Sequence, residues 1–388
     1  MIGIAVVGAT LLAGAVLSDA IANLTEAVDP DTALRWKPFH ARAQEMAAAA
    51  LVEGDPGVAS RLAREAYERD PTRAGALRVL GVARGLGGDL GAAATLLRDA
   101  ERLTRRDLPT QLFFIESAVS RGDVTGALRH FDIAMRTSRS GRALLIPILC
   151  TALQDPGLTR PIARTLDAVP DWTGEFVSGC ADQAPSRAAL ARVLTVAGRA
   201  RRASPPVVTA KITQLVTLGG EIAVGRQLYE ALLHDAGRTP SSGIGDPRFR
   251  VSDAVPPFDW SYAVAPELGG EQGGGAPGLD VHARSRSGAV AWQMMLLPPG
   301  HYRLTITGTP TQPKPAGTVM AQVACVDGPQ RTLGLVRVAA TPRFGGQGAV
   351  TIPRDCPSQW VRLSLEGTGS GTYDGHIDAV KIEPVPGT

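Results

Sequence analysis

The chain has 388 residues, of which 40 are Lys or Arg and 37 are Asp or Glu, so its formal net charge is +3. A chain this close to neutral lacks the basic excess with which nucleic-acid-binding proteins hold phosphates, and we expect no nucleic acid among its partners. The length allows two or three domains, each with its own hydrophobic core.

The sequence begins with an uncharged apolar segment from Ile2 to Leu17. This segment is slightly shorter than the roughly 20 residues of a membrane-spanning helix and slightly longer than the core of a signal peptide. Residues 1–20 are predicted to be a membrane anchor or a signal segment, and cleavage after Ala20 is left open. In either case most of the chain lies outside the cytoplasm. A buried helix of a cytosolic protein is the alternative.

The four cysteines fit an oxidising compartment. Cys150 and Cys180 lie in the part of the sequence with helical patterns, and Cys325 and Cys356 lie in the part with strand patterns. This distribution favours one disulfide within each part, and four buried free thiols are the alternative.

A 34-residue repeat is the strongest pattern in the chain. "EGDPGVASRLAREAYERDP" begins at Glu53, "GGDLGAAATLLRDAERLTR" at Gly87 and "RGDVTGALRHFDIAMRTSR" at Arg121. In each copy a glycine is expected to end one helix, the following aspartate to cap the next, and two alanines to let the helices cross closely. The aligned positions are Gly54, Gly88 and Gly122; Asp55, Asp89 and Asp123; Ala59, Ala93 and Ala127; and Ala66, Ala100 and Ala134.

This period and pattern resemble the tetratricopeptide repeat, a helix-turn-helix unit. The resemblance predicts helical repeats over residues 32–236, clear from His40 to Arg142 and degenerate beyond. It implies a concave face formed by the first helix of each repeat, which docks a protein partner. The candidate groove residues are Gln44, Arg78, Leu112 and Glu116. Because this face is mainly apolar, packing within the solenoid is the alternative.

The composition changes after the helical part. Residues 237–257 are rich in Gly, Pro and Ser and are predicted to be a linker, and residues 258–388 contain about eight short strands separated by turns. Within them, "VAWQMMLLPPGHYRLTITG" is predicted to be a β-hairpin that turns at Pro298 to Gly300. The fold class predicted for the whole chain is therefore an α-solenoid followed by a β-sandwich or jelly roll.

Three motifs of the C-terminal part are similar to a carbohydrate-binding jelly roll. They are "GDPRF…PPFDW", "WQMMLLPPGHYRLTITG" and "CPSQWVRLSLEG…DGHIDAVKIEP". In particular they resemble modules appended to tetratricopeptide proteins of Gram-negative bacteria that are associated with exopolysaccharide or capsule assembly. The resemblance implies a periplasmic location, a glycan held on the concave sheet by aromatic rings and amide side chains, and in many such modules a structural calcium.

Aromatic residues beside polar ones are the candidate glycan contacts. Alternation puts Trp360, Arg362 and Ser364 on one face of a strand, where Trp360 would be partly exposed or line the edge of the sandwich. Trp292 and Gln293 are candidates as well, on opposite faces of one strand. For Trp292 a core position is the favoured interpretation, and a β-bulge would reverse the two faces.

Two further pairs of residues have two interpretations each. Trp260 and Tyr262 either bind the glycan or seal the edge of the sandwich. Asp374 and Asp378 are weak candidates for a metal site, and ordinary turn and strand chemistry is the simpler interpretation.

No catalytic motif is present: the six histidines are scattered, and there is no nucleophile elbow, phosphate-binding loop or His-Glu-x-x-His sequence. We therefore expect a non-catalytic envelope scaffold without a cofactor. Its repeats would dock a protein and its jelly roll would bind a glycan, in polysaccharide biosynthesis or export. An adaptor without affinity for sugars is the alternative, and a cryptic glycan-active enzyme is a third.

Overall fold

The structure, a computed structural model, describes residues 18–273, 277–284, 286–310, 317–326, 331–339, 343–367 and 372–385. The chain is helical from residue 18 to residue 235 and then forms a β-sandwich of two antiparallel sheets. This confirms the predicted α-then-β fold class. Residues 1–17, most of the predicted anchor or signal segment, lie outside the described residues. Among the described helices, none has the length and apolar character needed to cross a membrane.

The described helical part begins with α1 (residues 18–25) and continues through fourteen further helices, with two short 3₁₀ turns at Pro156–Leu158 and Ala184–Ser186. The helices are α2 Pro30–Trp36, α3 Ala41–Leu51, α4 Pro56–Arg69, α5 Ala74–Leu86, α6 Leu90–Leu103, α7 Leu108–Ser120, α8 Val124–Thr137, α9 Arg139–Ala152, α10 Thr159–Leu166, α11 Thr173–Asp182, α12 Arg187–Val196, α13 Gly198–Ala203, α14 Pro206–Leu218 and α15 Ile222–Asp235.

The sandwich contains a five-stranded sheet in the order β1-β5-β10-β7-β8 and a six-stranded sheet in the order β2-β3-β4-β11-β6-β9. The strands are β1 Ser261–Tyr262, β2 Val264–Ala265, β3 Leu268–Gln272, β4 Leu279–Arg284, β5 Gly288–Met295, β6 Gly300–Pro310, β7 Gly317–Cys325, β8 Thr332–Ala339, β9 Phe344–Ile352, β10 Gln359–Gly367 and β11 Thr372–Pro384. The core between the sheets is built from alternate residues such as Val361, Leu363 and Leu365 on β10.

The chain divides into two compact units. The first takes the chain up to Leu149 together with Pro170–Trp172, and the second takes Cys150–Val169 together with the residues from Thr173 onward. The later helices and the sandwich thus form one unit, a grouping that the linker-like composition of residues 237–257 did not indicate.

In the first unit the three repeats form the helix pairs α3–α4, α5–α6 and α7–α8. The carboxylates of Asp55, Asp89 and Asp123 cap the second helix of each pair by accepting backbone N–H bonds at 2.9, 3.0 and 2.8 Å. Gly88 and Gly122 have φ angles of 84° and 70°, in the left-handed region that glycine enters without a steric cost. The predicted caps are confirmed, because they depend only on local backbone geometry.

Small residues allow the paired helices to approach each other closely. A Cβ added to Gly81 on α5 would lie 2.9 Å from Leu97 Cγ on α6, closer than packed carbon atoms come. The repeat alanines Ala59, Ala93 and Ala127 are buried at the corresponding positions on α4, α6 and α8. The predicted close packing of the paired helices is therefore confirmed.

In the second unit α15 packs against the sandwich. Tyr229 and Leu233 of α15 form a buried cluster with Phe258 and with Met294 of β5. Beside this cluster Asp259, 1% exposed, accepts hydrogen bonds from the Tyr229 hydroxyl at 2.9 Å and from the Arg238 guanidinium at 2.9 and 3.1 Å. Burial, followed by the charge of Asp259, raises the pKa of Tyr229, so its hydroxyl keeps the proton that it donates. A buried charge network thus ties the last helix to the sheets.

The predicted hairpin at Pro298 to Gly300 is wrong. β5 lies in the five-stranded sheet and pairs with β1 and β10, whereas β6 lies in the six-stranded sheet and pairs with β9 and β11. The Leu297 backbone N–H donates to the side-chain oxygen of Gln359 at 2.9 Å instead of to a hairpin partner. Pro298 and Pro299 have no N–H to donate. The segment is therefore a crossover between the sheets.

Strand β3 contains two adjacent glycines, Gly269 and Gly270. Glycine at position 270 has a steric reason, because a Cβ there would lie 2.8 Å from the Val290 carbonyl oxygen. Strand propensities penalise such glycines, although a close backbone approach requires them.

Both cysteine pairs form disulfides. Cys150 is bonded to Cys180 and Cys325 to Cys356, with Cα–Cα distances of 5.2 and 5.7 Å. These are the pairings that the distribution along the sequence favoured, and both distances are typical of disulfides.

The Cys325–Cys356 bond closes a loop with a sequence separation of 31 in the sandwich. We expect the double variant Cys325→Ala/Cys356→Ala to lower the free energy of unfolding by about 2–4 kcal/mol, because the unfolded chain regains the entropy of the open loop. Urea unfolding followed by circular dichroism measures this change. Wild type under reducing conditions is the control and is expected to lose stability as well; a difference between wild type and variant under about 1 kcal/mol without reductant contradicts the prediction.

Candidate functional site

One row of side chains crosses all five strands of the five-stranded sheet on its outer face. Trp292 lies directly opposite both Ser261 and Arg362, Arg362 lies opposite Gln322, and Gln322 lies opposite Leu335. Directly opposed residues of antiparallel strands share a face, and the neighbours Val361 and Leu363 on β10 are buried in the core. The row therefore faces away from the sandwich interior.

Trp360 lies on the same face as this row, two residues before Arg362 on β10. Both indole rings, of Trp292 and Trp360, are half-buried, as are Arg362 and Gln322. The Arg362 guanidinium carbon lies 5.8 Å from the centre of the Trp360 ring, within the range of a cation–π contact. We call Trp292, Trp360, Arg362 and Gln322 the tryptophan platform.

Polar and flexible side chains surround the platform. Met320, Ser364 and Arg337 form the next row on the outer face. Arg337 pairs with Glu366 at 3.5 Å, and the Gln322 amide donates to the Thr332 hydroxyl at 2.7 Å. Sugar rings present apolar C–H faces edged by hydroxyl groups, so two partly exposed indoles beside guanidinium and amide groups suit them chemically.

The predicted core position of Trp292 is wrong. Met294, on the same face of β5, is buried by the cluster that α15 forms on the outer side of the sheet. At the C-terminal end of β5 the apolar side chain on this face therefore packs against α15. Trp292, beyond that contact, remains half-exposed.

Three other candidates are turned away from the platform. Gln293 is 1% exposed, and its amide donates to the Phe258 carbonyl oxygen inside the sandwich. Trp260 is 2% exposed and donates through its ring N–H to the Asp246 carbonyl at 2.8 Å. Tyr262 lies opposite the core residue Ala291 and packs against the core. Burial excludes Gln293 and Trp260 from a surface site, and both serve the packing of the sandwich.

The outer face of the six-stranded sheet has a different character. A hollow of about 370 Å³ lies between Arg248, Asp378 and Lys381 over the threonines Thr305 and Thr307. Among the described residues of these strands, every Tyr and Phe points into the core. This face offers hydrogen bonds and charges but lacks the flat apolar surface on which a sugar ring stacks.

The weak metal candidates Asp374 and Asp378 lie on β11, and the described residues contain no group of three or more His, Cys, Asp or Glu arranged to hold a metal ion. Asp378 lies 3.7 Å from His376, whose other ring nitrogen lies 2.7 Å from Asp280. This cluster is thus an imidazole between two carboxylates.

Burial lowers the pKa of His376, but the hydrogen bonds to Asp280 and the Pro277 carbonyl, with the charges of Asp280 and Asp378, outweigh burial and raise it overall. We expect Asp280→Asn to lower the pKa of His376, because the neutral amide no longer stabilises the imidazolium. Titration of the His376 ring proton by NMR measures the shift. Glu383→Gln, on the same strand, serves as the control and should leave the titration in place; an unchanged His376 pKa in Asp280→Asn contradicts the assignment.

Two of the predicted groove residues in the repeats have packing roles. Gln44 is 2% exposed, donating to Glu65 at 3.0 Å and accepting from Arg69 at 3.0 Å, so it links α3 to α4. Arg78 pairs at 3.0 Å with Asp107, the residue that caps α7. Gln44 and Arg78 therefore hold neighbouring helices together. Because Gln44 is also buried, its side chain is unavailable to a protein partner. The other two, both on α7, differ: Leu112 is half-buried and Glu116 is exposed.

No protein-family model and no curated protein sequence matches the chain. Among solved structures it is similar to TmCBM61 in complex with β-1,4-galactotriose, at 15% identity over 32% of this chain and 88% of that chain, with a TM-score of 0.25. It is also similar to CBM4, at 15% identity over 38% and 100% of the two chains, with a TM-score of 0.27.

A third similar structure is a glycoside hydrolase family 43 arabinoxylan arabinofuranohydrolase from Bacillus subtilis in complex with cellotetraose. The identity is 16%, over 33% of this chain and 28% of that chain, with a TM-score of 0.23. Each of these similarities covers less than two fifths of this chain.

Proposed function

We propose that this protein is a non-catalytic scaffold that binds a glycan on the tryptophan platform. The observation that carries the proposal is the placement of Trp292 and Trp360 on one outer sheet face, both partly exposed, with Arg362 next to each of them. Stacking on indole rings supplies affinity for a sugar ring, and the guanidinium and amide of Arg362 and Gln322 supply hydrogen bonds to its hydroxyl groups. We propose no cofactor for this role; a structural calcium is what the family resemblance implies for many such modules.

The helical part then docks a protein partner through repeats of the tetratricopeptide type. The 34-residue period, the capped second helices and the close small-residue packing support this assignment. Leu86 and Val119, at the ends of α5 and α7, are 57% and 62% exposed and offer apolar surface to a partner.

The setting that we propose is polysaccharide biosynthesis or export in a Gram-negative envelope, with the bulk of the chain in the periplasm and the N-terminal segment as anchor or signal. Two disulfides support an oxidising compartment, because thiols are kept reduced in the cytosol.

A glycan array probed with the full chain tests the proposal. The full chain is required because Met294 and Phe258 are covered by α15 and would be exposed in an isolated sandwich. Binding to at least one envelope polysaccharide, lost in a platform variant, is the expected result. If no glycan binds, the sugar-binding role is wrong and the protein is an adaptor that acts through its repeats alone.

A further inference from the structure

An open groove in the first unit is lined by side chains that the glycan-binding role does not use. It encloses about 910 Å³ where α6 ends and α7 and α8 pass beside it. We call the following residues the arginine groove: Arg98, Arg102, Arg105, Arg106, Arg129 and the carboxylate-bearing Glu101.

The charge in this groove is largely uncompensated. Arg102 is paired with Asp99 at 2.8 Å, and Arg98 donates to the Thr95 hydroxyl at 3.0 Å. The guanidinium groups of Arg105, Arg106 and Arg129 contact no carboxylate in the described part of the chain. Five arginines against Glu101 and Asp99, the partner of Arg102, leave the groove a local charge of +3, as large as that of the whole chain. A concave wall of one sign concentrates the field and attracts anions.

The groove also has an aromatic wall. The ring of Phe114 stacks on the ring of His130 with a centroid distance of 4.9 Å, and both line the cavity. The Nδ1–H of His130 donates a hydrogen bond of 2.8 Å to Oε1 of the buried Gln111. Burial lowers the pKa of His130 and outweighs the opposing effect of Glu101, so the imidazole is neutral at pH 7. The wall therefore combines permanent positive charge with a flat, uncharged ring surface.

This combination selects among anionic ligands. Guanidinium groups bind carboxylates in a bidentate manner. Arg98 and Arg102 lie one helical turn apart on α6, and Arg105 and Arg106, just after the helix, line the same groove. A row of charges spread over 910 Å³ matches a chain of regularly spaced carboxylates better than one small anion. The stacked Phe114 and His130 rings suit the C–H faces of sugar units between those carboxylates.

We propose that the arginine groove binds a carboxylated polysaccharide, at a second site independent of the tryptophan platform. The ligand's carboxylates pair with Arg105, Arg106 and Arg129, and its sugar rings lie against Phe114. Binding is driven largely by charge, so its affinity falls as the salt concentration rises. The proposal does not depend on the proposed function of the sandwich.

Isothermal titration of the full chain with polygalacturonate, at low salt and then at 0.15 M salt, tests the proposal. We expect the variant Arg105→Gln/Arg106→Gln to bind at least tenfold more weakly than wild type. The matched control is Arg61→Gln/Arg64→Gln, which removes the same charge from two exposed arginines of α4 without changing the groove. The control is expected to bind like wild type.

Four outcomes overturn the inference. Wild type that does not bind polygalacturonate has no such site. Equal losses in the two double variants reduce the effect to net charge. Double-stranded DNA that binds as tightly as polygalacturonate and displaces it makes the groove a general polyanion surface. Trp292→Ala separates the two sites: it is expected to bind polygalacturonate like wild type, and a loss in this variant moves the binding to the platform and overturns the groove assignment.

Discussion

Replacing Trp292 by alanine is expected to weaken glycan binding at least tenfold, which corresponds to about 1.4 kcal/mol. The indole is half-buried on the outer sheet face and lies beside Arg362, so alanine removes the stacking surface and widens the gap around the guanidinium. Trp360→Ala is expected to act in the same direction but less strongly, because part of that ring packs against the cluster formed by α15. Affinity electrophoresis in gels that contain the polysaccharide identified on the array measures both changes.

The control for these variants is Trp36→Ala. Trp36 is 50% exposed and lies on α2 in the first unit, so its removal is expected to leave glycan binding unchanged. Equal affinities of Trp292→Ala and wild type would show that the glycan binds elsewhere. Circular dichroism of each variant verifies that the fold is intact, which separates lost contacts from lost structure.

Replacing Asp259 by alanine is expected to lower the free energy of unfolding of the full chain by about 3–5 kcal/mol. The carboxylate is almost completely buried and accepts hydrogen bonds from Tyr229, Arg238 and the Val255 backbone N–H. Its removal leaves the Arg238 charge without its partner and the buried Tyr229 hydroxyl without an acceptor. Urea unfolding measures the change.

Two further variants are expected to lower the free energy of unfolding by less than Asp259→Ala does. Tyr229→Phe keeps the ring in the cluster and removes one bond to a charged group, at an expected cost of about 1.5–3 kcal/mol. Asp253→Ala removes a carboxylate from the exposed part of the same segment and is expected to stay within about 0.5 kcal/mol of wild type. A cost for Asp259→Ala no larger than that for Asp253→Ala would contradict the assignment of this network as the tie between α15 and the sheets.

The features that sequence predicted well are those fixed by short-range geometry. A glycine followed by an aspartate ends one helix and caps the next whatever the rest of the chain does, so the pairs around Gly88 and Gly122 form as expected. The alternation in β10 is equally local, and it places Trp360 and Arg362 together on the outer face.

The features that sequence missed depend on distant partners. The apolar face of β5 indicated a core, but the covering element at Met294 is a helix more than 50 residues earlier, and Trp292 lies beyond its reach. The crossover at Pro298 depends on the side chain of Gln359, which stands in for a hairpin partner. The arginine groove joins the end of α6 to Arg129 on α8, and a net charge of +3 for the chain conceals so local an excess.

The strand order has a consequence for how the sandwich is made. β10 lies in the middle of the five-stranded sheet and β11 in the middle of the six-stranded sheet, although they are the last two strands in chain order. Until both have been synthesised, β5 and β7 lack the strand that joins them, and so do β4 and β6. Each half-sheet is left with an open edge on the growing chain. Closure of the sandwich is thus a late, long-range event in the folding of this chain.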